Sequence, residues 1–153
     1  MMETIREVKE SIFNKVIGFR NRFKKRLELD DLTPSRIEVV DQTGMMIDFD
    51  RRVHITYFID SDAIPIRACD IEYGVKSGNI GHIHVDPEIR RRGLGEQMLD
   101  MAILDIRGNG LKEVYTIAKE GHPFWENVKG GAFKKDEKVS PGGGICHYRM
   151  KIQ

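Results

Sequence analysis

The stretch that decides the expected fold is residues 80–95, Ile-Gly-His-Ile-His-Val-Asp-Pro-Glu-Ile-Arg-Arg-Arg-Gly-Leu-Gly. Its first part, Ile80–Val85, has the β-branched composition of a strand, and Pro87 marks a turn. Over Gly93–Arg107 apolar residues recur at helical spacing, until Gly108-Asn109-Gly110 ends the helix. The stretch therefore predicts a strand, a loop and a helix in succession.

The loop of this stretch has the composition of an anion site. Gly93 and Gly95 lack Cβ, so the backbone can approach a phosphate closely, and the unpaired amides at the helix start point outward. Arg90–Arg92 add charged, forked donors, and charged hydrogen bonds contribute about 1.5–3 kcal/mol each against about 0.3–1 kcal/mol for the helix dipole. Because Gly93–Met98 lacks the last glycine of GxGxxG and the chain has no GK[ST], neither a Rossmann site nor a P-loop fits.

The same residues resemble the acetyl-CoA motif of the GNAT acetyltransferase superfamily. Val85 is followed, after four residues, by RxxGxG at Arg90–Gly95, and a helix comes next. Further along the chain, Phe124-Trp125-Glu126 and Gly131-Ala132-Phe133 are similar to the family's second signature, an aromatic pair followed by Gly-Phe. The resemblance identifies a nucleotide cosubstrate as the expected partner of the anion site.

This resemblance, which covers residues 66–152, implies an α+β (α/β) fold. It predicts one GNAT-like domain over residues 1–153, with a central mixed, mostly antiparallel twisted sheet that is splayed at the acetyl-CoA strand and flanked by helices. The N-terminal half matches the family in strand count more than in motif, because the chain opens with a long helix rather than a strand.

Alternating patterns and turn signals predict the remaining elements. The expected strands are Ile37–Asp41, Met45–Phe49, Val53–Ile59, Ile66–Val75, Ile80–Val85 and Val114–Ala118, with a short helix Pro123–Val128 and a closing hairpin of Phe133–Lys138 and Ile145–Ile152. Ile66–Val75 alternates apolar and polar residues, which predicts a half-exposed strand with Asp70 on its exposed face.

The N-terminal segment, residues 4–27, carries one apolar stripe and is predicted to form an amphipathic helix. Residues 1–27 hold eight basic and three acidic residues, net +5, whereas residues 28–72 hold four and eleven, net −7. Two interpretations of the basic helix stay open. It lies on the sheet with a solvated basic face, or it docks on a membrane surface, a nucleic acid or a protein partner.

The composition argues against several classes of protein. The 153 residues carry 25 Lys and Arg against 24 Asp and Glu, and this net charge of +1 argues against a nucleic-acid partner. Two cysteines without a CxxC pair, and no secretory leader, predict a reducing, cytoplasmic location. No apolar run approaches the ~20 residues that cross a bilayer, so no membrane span is expected.

The resemblance implies acetyl-CoA as cosubstrate and direct acetyl transfer to a primary amine, without an acyl-enzyme. Pantetheine would pair with the strand ending at Val85 as an added short strand, and the amide of Val85 would stabilise the oxyanion. The implied cofactor-binding residues are Ile83, His84, Val85, Arg90, Arg91, Arg92, Gly93, Leu94, Gly95, Glu96 and Trp125.

The general base is harder to assign, because this chain departs from the family pattern. Relatives place a carboxylate or histidine four or six positions before the valine to accept the proton of the amine, and those positions are Gly81 and Asn79 here. His82 and His84 are candidates, but they have the opposite strand parity and should face away from that site unless a bulge re-aims one of them.

Further catalytic candidates lie outside this strand. Glu72 and Asp70, on the preceding strand, are bases that would act through water. The family's usual general acid is a tyrosine in the aromatic pair, but Trp125 stands there and an indole cannot supply that proton at neutral pH. Tyr148 or Tyr73 would substitute, or the CoA thiolate would leave unaided.

No metal is expected. The candidate ligands His82, His84, His122, His147 and Cys146 show no ligand spacing. Both cysteines are expected to be ordinary buried residues rather than nucleophiles or ligands.

Two hypotheses of different class follow. The first is an acetyl-CoA-dependent N-acetyltransferase acting on a small-molecule or peptide amine, and the acidic segment with Asp48, Asp50, Asp60 and Asp62 favours a cationic acceptor. The alternative is a non-catalytic GNAT-shaped module that binds CoA and docks on a partner or surface through its basic helix. Relatives commonly dimerise, so a homodimer is left open.

Overall fold

The computed structural model describes residues 26–41, 50–59, 65–138 and 143–153. The predicted strand Met45–Phe49 and nearly all of the predicted helix over residues 4–27 lie outside these ranges. Within them, neither helix combines the length and the apolar character needed to span a bilayer.

The described residues form a seven-stranded mixed sheet in the order β1-β2-β3-β4-β5-β7-β6. The strands are β1 (Thr33–Asp41), β2 (Asp50–Ile59), β3 (Ile66–Gly74), β4 (Asn79–Val85), β5 (Glu113–Lys119), β6 (Lys134–Lys135) and β7 (Ile145–Lys151). The helices are α1 (Leu94–Gly108) and α2 (Pro123–Gly131). Neighbouring strands are antiparallel except β4 and β5, which are parallel. The predicted mixed, mostly antiparallel sheet with flanking helices is confirmed.

Helix α1 packs on one face of the central strands. Its buried side includes Met98 and Leu99, and the tyrosines beneath it come from β2 and β3. The hydroxyl of Tyr73 donates to Asp105 Oδ2 at 2.8 Å, which fastens β3 to the helix. The apolar core therefore lies between α1 and this face of the sheet, and the opposite face of β2–β4 is left to polar side chains.

The packing of α1 can be tested with two leucines of the same helix. Leu99 has no exposed surface, whereas Leu104 is 59% exposed. We expect Leu99→Ala to lower the free energy of unfolding by about 2–5 kcal/mol, because it leaves a cavity in the core. Leu104→Ala should change it by less than about 0.5 kcal/mol. Urea denaturation of both variants measures the difference, and equal losses would contradict this orientation of α1.

Strands β4 and β5 pair only through the first two residues of β4. Asn79 pairs with Tyr115 and Ile80 with Thr116, and the Thr116 hydroxyl donates to Ile80 O at 2.9 Å. Beyond this point β4 continues to Val85 with β3 as its ladder partner. The predicted splay is therefore present as a cleft between β4 and β5.

Strand β4 contains a bulge at Gly81. His82 opposes Glu72 and Ile80 opposes Tyr73, so Gly81 is an extra residue on β4. Because one extra residue shifts the alternation of faces, Gly81 and His82 lie on the same side of the sheet, the side opposite α1. A Cβ on Gly81 would lie 3.2 Å from Glu72 Oε1 on that side.

Two details differ from the sequence-based expectations. Asp70, which was expected on an exposed face of β3, has 0% exposed surface, because side chains from β2 and β4 converge on it. The expected strand Phe133–Lys138 shortens to Lys134–Lys135. The chain turns immediately afterwards, where Asp136 Oδ1 accepts a hydrogen bond from the Lys138 amide at 3.1 Å.

Candidate active site

The cleft that opens where β4 leaves β5 has a volume of about 710 Å³, and it is lined by the end of β4 and the starts of both helices. Ten of the eleven predicted cofactor-binding residues line it: Ile83, His84, Val85, Arg90, Arg91, Gly93, Leu94, Gly95, Glu96 and Trp125. The eleventh, Arg92, is not part of the lining, and its carbonyl accepts a hydrogen bond from the Leu27 amide at 2.9 Å. The segment singled out in the sequence therefore forms one wall of a single cleft.

The start of α1 has the geometry of an anion site. Gly93 precedes the helix with φ at +86°, no side chain caps the helix, and the first helical bond runs from the Gln97 amide to Gly93 O. The amides of the first turn therefore have no acceptor within the helix. Arg91, also at positive φ, lies beside them at the cleft. Phosphate oxygens would find both backbone and guanidinium donors here.

The outer edge of β4 offers a backbone amide to the cleft. The Asp86 amide donates to Ala68 O on β3 at 2.8 Å. Since peptide groups alternate in direction along a strand, the amide of Val85 points to the opposite edge, into the cleft. Val85 O accepts a hydrogen bond from Arg90 Nε at 2.9 Å, so Arg90 closes the loop on the strand. The Val85 amide is thus available to an oxygen of a bound ligand.

The opposite wall comes from α2 and was not anticipated beyond Trp125. His122, Phe124 and Asn127 line the cleft there. The Phe124 ring lies 3.1 Å from where a Cβ on Gly95 would be, so a side chain at that position would press on this ring. The sequence signals for this wall were Pro123, at the first turn of α2, and the aromatic pair Phe124-Trp125 of the family's second signature.

Trp125 is 5% exposed and packs edge-on against two aromatic rings. Its centroid is 4.9 Å from that of Phe124 and 5.2 Å from that of Phe133. Trp125 thus packs into the core and also lines the cleft.

A polar cluster occupies the face of the sheet opposite α1, and we call its five residues the Asp70 cluster. Its members are His54, Arg67, Asp70, His82 and His84. Asp70 Oδ2 is 3.1 Å from His54 Nε2 and 2.5 Å from His82 Nε2, while Arg67 donates to Oδ1. Burial alone would raise the pKa of Asp70, but the hydrogen bonds from Arg67 and His82 outweigh it and lower that pKa. The cluster is centred on a buried carboxylate that stays ionised.

His84 belongs to both the cleft and the Asp70 cluster. It lines the cleft, and its Nδ1 is 3.5 Å from Asp70 Oδ1. The bulge at Gly81 also decides an open question of parity. Gly81 occupies the position where relatives usually carry the base. Because of the bulge, Gly81 lies on the same face of the sheet as His82 and His84, so these histidines do not face away from that position.

Two further candidates are held by other partners. Glu72 Oε1 accepts two hydrogen bonds from Arg52, at 2.7 and 3.2 Å. Tyr148 is 2% exposed and does not line the cleft, and its hydroxyl donates to Glu126 Oε1 at 3.3 Å and accepts from the Gly121 amide at 3.2 Å. The pKa of Tyr148 is raised mainly by burial and, to a smaller extent, by the nearby Glu126 carboxylate.

The remaining candidates are also placed. Tyr73 is buried beneath α1, and burial together with its bond to Asp105 raises its pKa. The cysteines Cys69 and Cys146 are unpaired and buried, as expected. Neither belongs to the cleft lining.

The chain matches the model of the Acetyltransferase (GNAT) family over residues 26–126. No curated protein matches its sequence. Among solved structures, nourseothricin acetyltransferase is similar at 14% identity with a TM-score of 0.52, covering 80% of this chain and 88% of that one.

Two further solved structures share the fold. The PaiA N-acetyltransferase from Thermoplasma acidophilum, in complex with coenzyme A, is 16% identical with a TM-score of 0.53, covering 65% of this chain and 60% of its own. The GNAT domain of S. lividans PAT is 11% identical with a TM-score of 0.52, covering 66% and 61%. At these identities the likeness concerns the fold alone.

Proposed function

The chain belongs to the GNAT acetyltransferase family, and on that premise we propose that it transfers an acetyl group from acetyl-CoA directly to a primary amine, with His84 as proton acceptor. The observation that carries the proposal is the cleft between β4 and β5. Its lining includes the first turn of α1, whose amides have no acceptor within the helix, and His84, which contacts a buried carboxylate.

The donor is held by the β4 side of the cleft. The pyrophosphate lies on the first amides of α1 and on Arg91, while pantetheine follows the open edge of β4. The acetyl carbonyl accepts a hydrogen bond from the Val85 amide, which then stabilises the oxyanion as the amine attacks the thioester. Arg90 contributes indirectly, because its bond to Val85 O fixes the loop.

The amine must be neutral to attack, and His84 is placed to take its proton. It is the residue that joins the cleft to the Asp70 cluster, and the carboxylate of Asp70 stabilises the imidazolium that forms. His82 and Glu72, the other predicted bases, already bond to Asp70 and Arg52 respectively. Tyr148 bonds to Glu126, so in this proposal the CoA thiolate leaves without it.

The acceptor is proposed only as a primary amine that approaches over the sheet face carrying the Asp70 cluster. Of the four acids expected to attract a cationic acceptor, Asp50 lies within the described residues. Its carboxylate accepts a hydrogen bond from Ser77 Oγ at 2.6 Å and contacts Arg52 at 3.4 Å. Asp50 therefore supports the local fold. Its contacts give no support for a cationic acceptor.

The proposal is tested by titrating the purified protein with acetyl-CoA, using calorimetry and thermal melting, and then assaying thiol release with a panel of amines. Binding should stabilise the fold by about 2.7 kcal/mol at a hundredfold excess over Kd. Desulfo-CoA, which lacks the thioester, should bind without turnover. No saturable binding of acetyl-CoA would contradict the proposal. Binding without turnover on any amine would favour the alternative, a CoA-binding module that docks through its basic N-terminal helix.

A further inference from the structure

Three members of the Asp70 cluster converge from adjacent strands: His54 from β2, Asp70 from β3 and His82 from β4. One ligand atom of each lies within 4.8 Å of the other two. We propose that this triad is a binding site for a divalent transition-metal ion such as Zn²⁺, next to the acetyl-CoA cleft but outside its lining. The inference does not depend on acetyl transfer, because metal binding is measured without donor or acceptor.

The sheet register brings the triad together. Asp70 pairs with Thr56 and His84, so His54 and His82 are its diagonal neighbours on the two flanking strands. Diagonal neighbours on one face are within reach of long side chains. The imidazole rings stand nearly perpendicular, at 83°, with centroids 5.4 Å apart, and both turn Nε2 toward the same carboxylate oxygen. Three donors from three strands thus point at one small volume.

The donor set suits a borderline metal. Two imidazoles and one carboxylate are ligands of Zn²⁺ and related ions, with bonds of about 2.0–2.2 Å, so neighbouring ligand atoms in a tetrahedral site lie about 3.3 Å apart. Asp70 Oδ2 is 3.1 Å from His54 Nε2, close to that spacing, and 2.5 Å from His82 Nε2. A shift of the His82 ring of less than about 1 Å would admit the ion.

The surroundings fit a metal site as well. Arg67 donates to Oδ1 of Asp70, which leaves Oδ2 for a single metal bond. Glu72 Oε2 lies 3.9 Å from Nδ1 of His82, on the far side of the ring from Asp70. Ligating histidines usually direct the second ring nitrogen to a carboxylate or carbonyl, which orients the ring. His54 and His82 are 40% and 44% exposed, so an ion can reach the site from solvent.

This inference departs from the expectation that no metal is involved. The grouping considered in the sequence, with His122, His147 and Cys146, omitted both His54 and Asp70. Those two residues lie 16 positions apart, and sequence spacing does not indicate their contact. It arises only from the pairing of β2 with β3.

The test is a titration of the chelator-treated protein with Zn²⁺ by calorimetry, and with Co²⁺ by visible absorption. We expect one saturable site and a Co²⁺ spectrum of a low-coordinate centre. His54→Gln should weaken binding at least about 100-fold, since loss of even an outer partner commonly costs 10–100-fold. His147→Gln, on β7 outside the cluster, is the matched control and should bind as the unmodified protein does.

Failure of the unmodified protein to bind either ion, or equal affinity in His54→Gln, would overturn the proposal. Thermal melting of the metal-free variants establishes that each is folded, and His82→Asn replaces His54→Gln if the latter does not fold. Acetyl-CoA titration of His54→Gln separates this proposal from the proposed function. Unchanged acetyl-CoA binding with lost metal binding is the expected pattern in this variant. Metal binding by the unmodified protein that does not bind acetyl-CoA would contradict the proposed function alone.

Discussion

Gly93→Asp is expected to abolish measurable acetyl-CoA binding while the protein remains folded. The substitution places a carboxylate at the first amides of α1, where the pyrophosphate is proposed to lie. A Cβ at this position would meet its nearest neighbour, Arg26 Nη1, at 3.5 Å, which is ordinary contact. The positive φ of Gly93 strains an aspartate there by about 1–3 kcal/mol, a cost that the fold should tolerate and that thermal melting measures. The loss should come from charge repulsion and from competition for the amides.

The expected loss is at least about 100-fold in Kd. Removing one or two charged hydrogen bonds costs about 1.5–3 kcal/mol each, and about 1.4 kcal/mol corresponds to a tenfold change in affinity. Gly110→Asp is the matched control, because Gly110 has φ at +88°, close to the +86° of Gly93, and no neighbouring atom within 4 Å. Both variants therefore carry the same charge and similar backbone strain. Equal acetyl-CoA affinity in the two variants, measured by calorimetry, would place the pyrophosphate elsewhere.

The second large effect is expected for His84→Gln, which should lower kcat by about 100- to 1,000-fold, within the range of general-base catalysis. Glutamine keeps a polar side chain of similar length but cannot accept the proton of the amine. The affinity for acetyl-CoA should change only a few-fold, because the donor is proposed to contact the backbone of β4 rather than this ring. A fall in kcat with an unchanged donor Kd is therefore the diagnostic pattern.

His147→Gln is the control for this experiment, because His147 lies on β7 and stacks on Tyr115, away from the cleft lining. Steady-state kinetics with the best amine of the panel, together with calorimetry, would measure both quantities. If kcat of His84→Gln equals that of the control, the proton leaves by another route, and His82 and Glu72 become the groups to replace next.

The local part of the fold could be predicted because its signals are local. Gly93 and Gly95, the arginines before them and the apolar spacing after them lie in one continuous segment, and the structure places that segment at the cleft wall. The separation of β4 from β5 was predicted in a different way, from the resemblance of this segment to a known family. Short-range chemistry of this kind is independent of how distant strands pair.

The Asp70 cluster could not be predicted, because it depends on strand register. A shift of one residue moves every side chain of a strand to the other face, and the bulge at Gly81 introduces such a shift. Alternation placed Asp70 on the correct face but did not show that His54 and His82 cover it, and it left the direction of His82 open. His54 carried no motif at all and gained its partner only through β2–β3 pairing.

The short parallel ladder between β4 and β5 has a consequence for turnover. A donor that lies along the open edge of β4 bonds to backbone groups that β5 leaves without a ladder partner. When CoA leaves, these hydrogen bonds to β4 must break, as they would for an edge strand. Backbone groups are the same in every residue, so substitutions along β4 would barely change the rate of that departure. The time that CoA stays bound would then depend mainly on the far wall, where the side chains of Phe124 and Asn127 line the cleft.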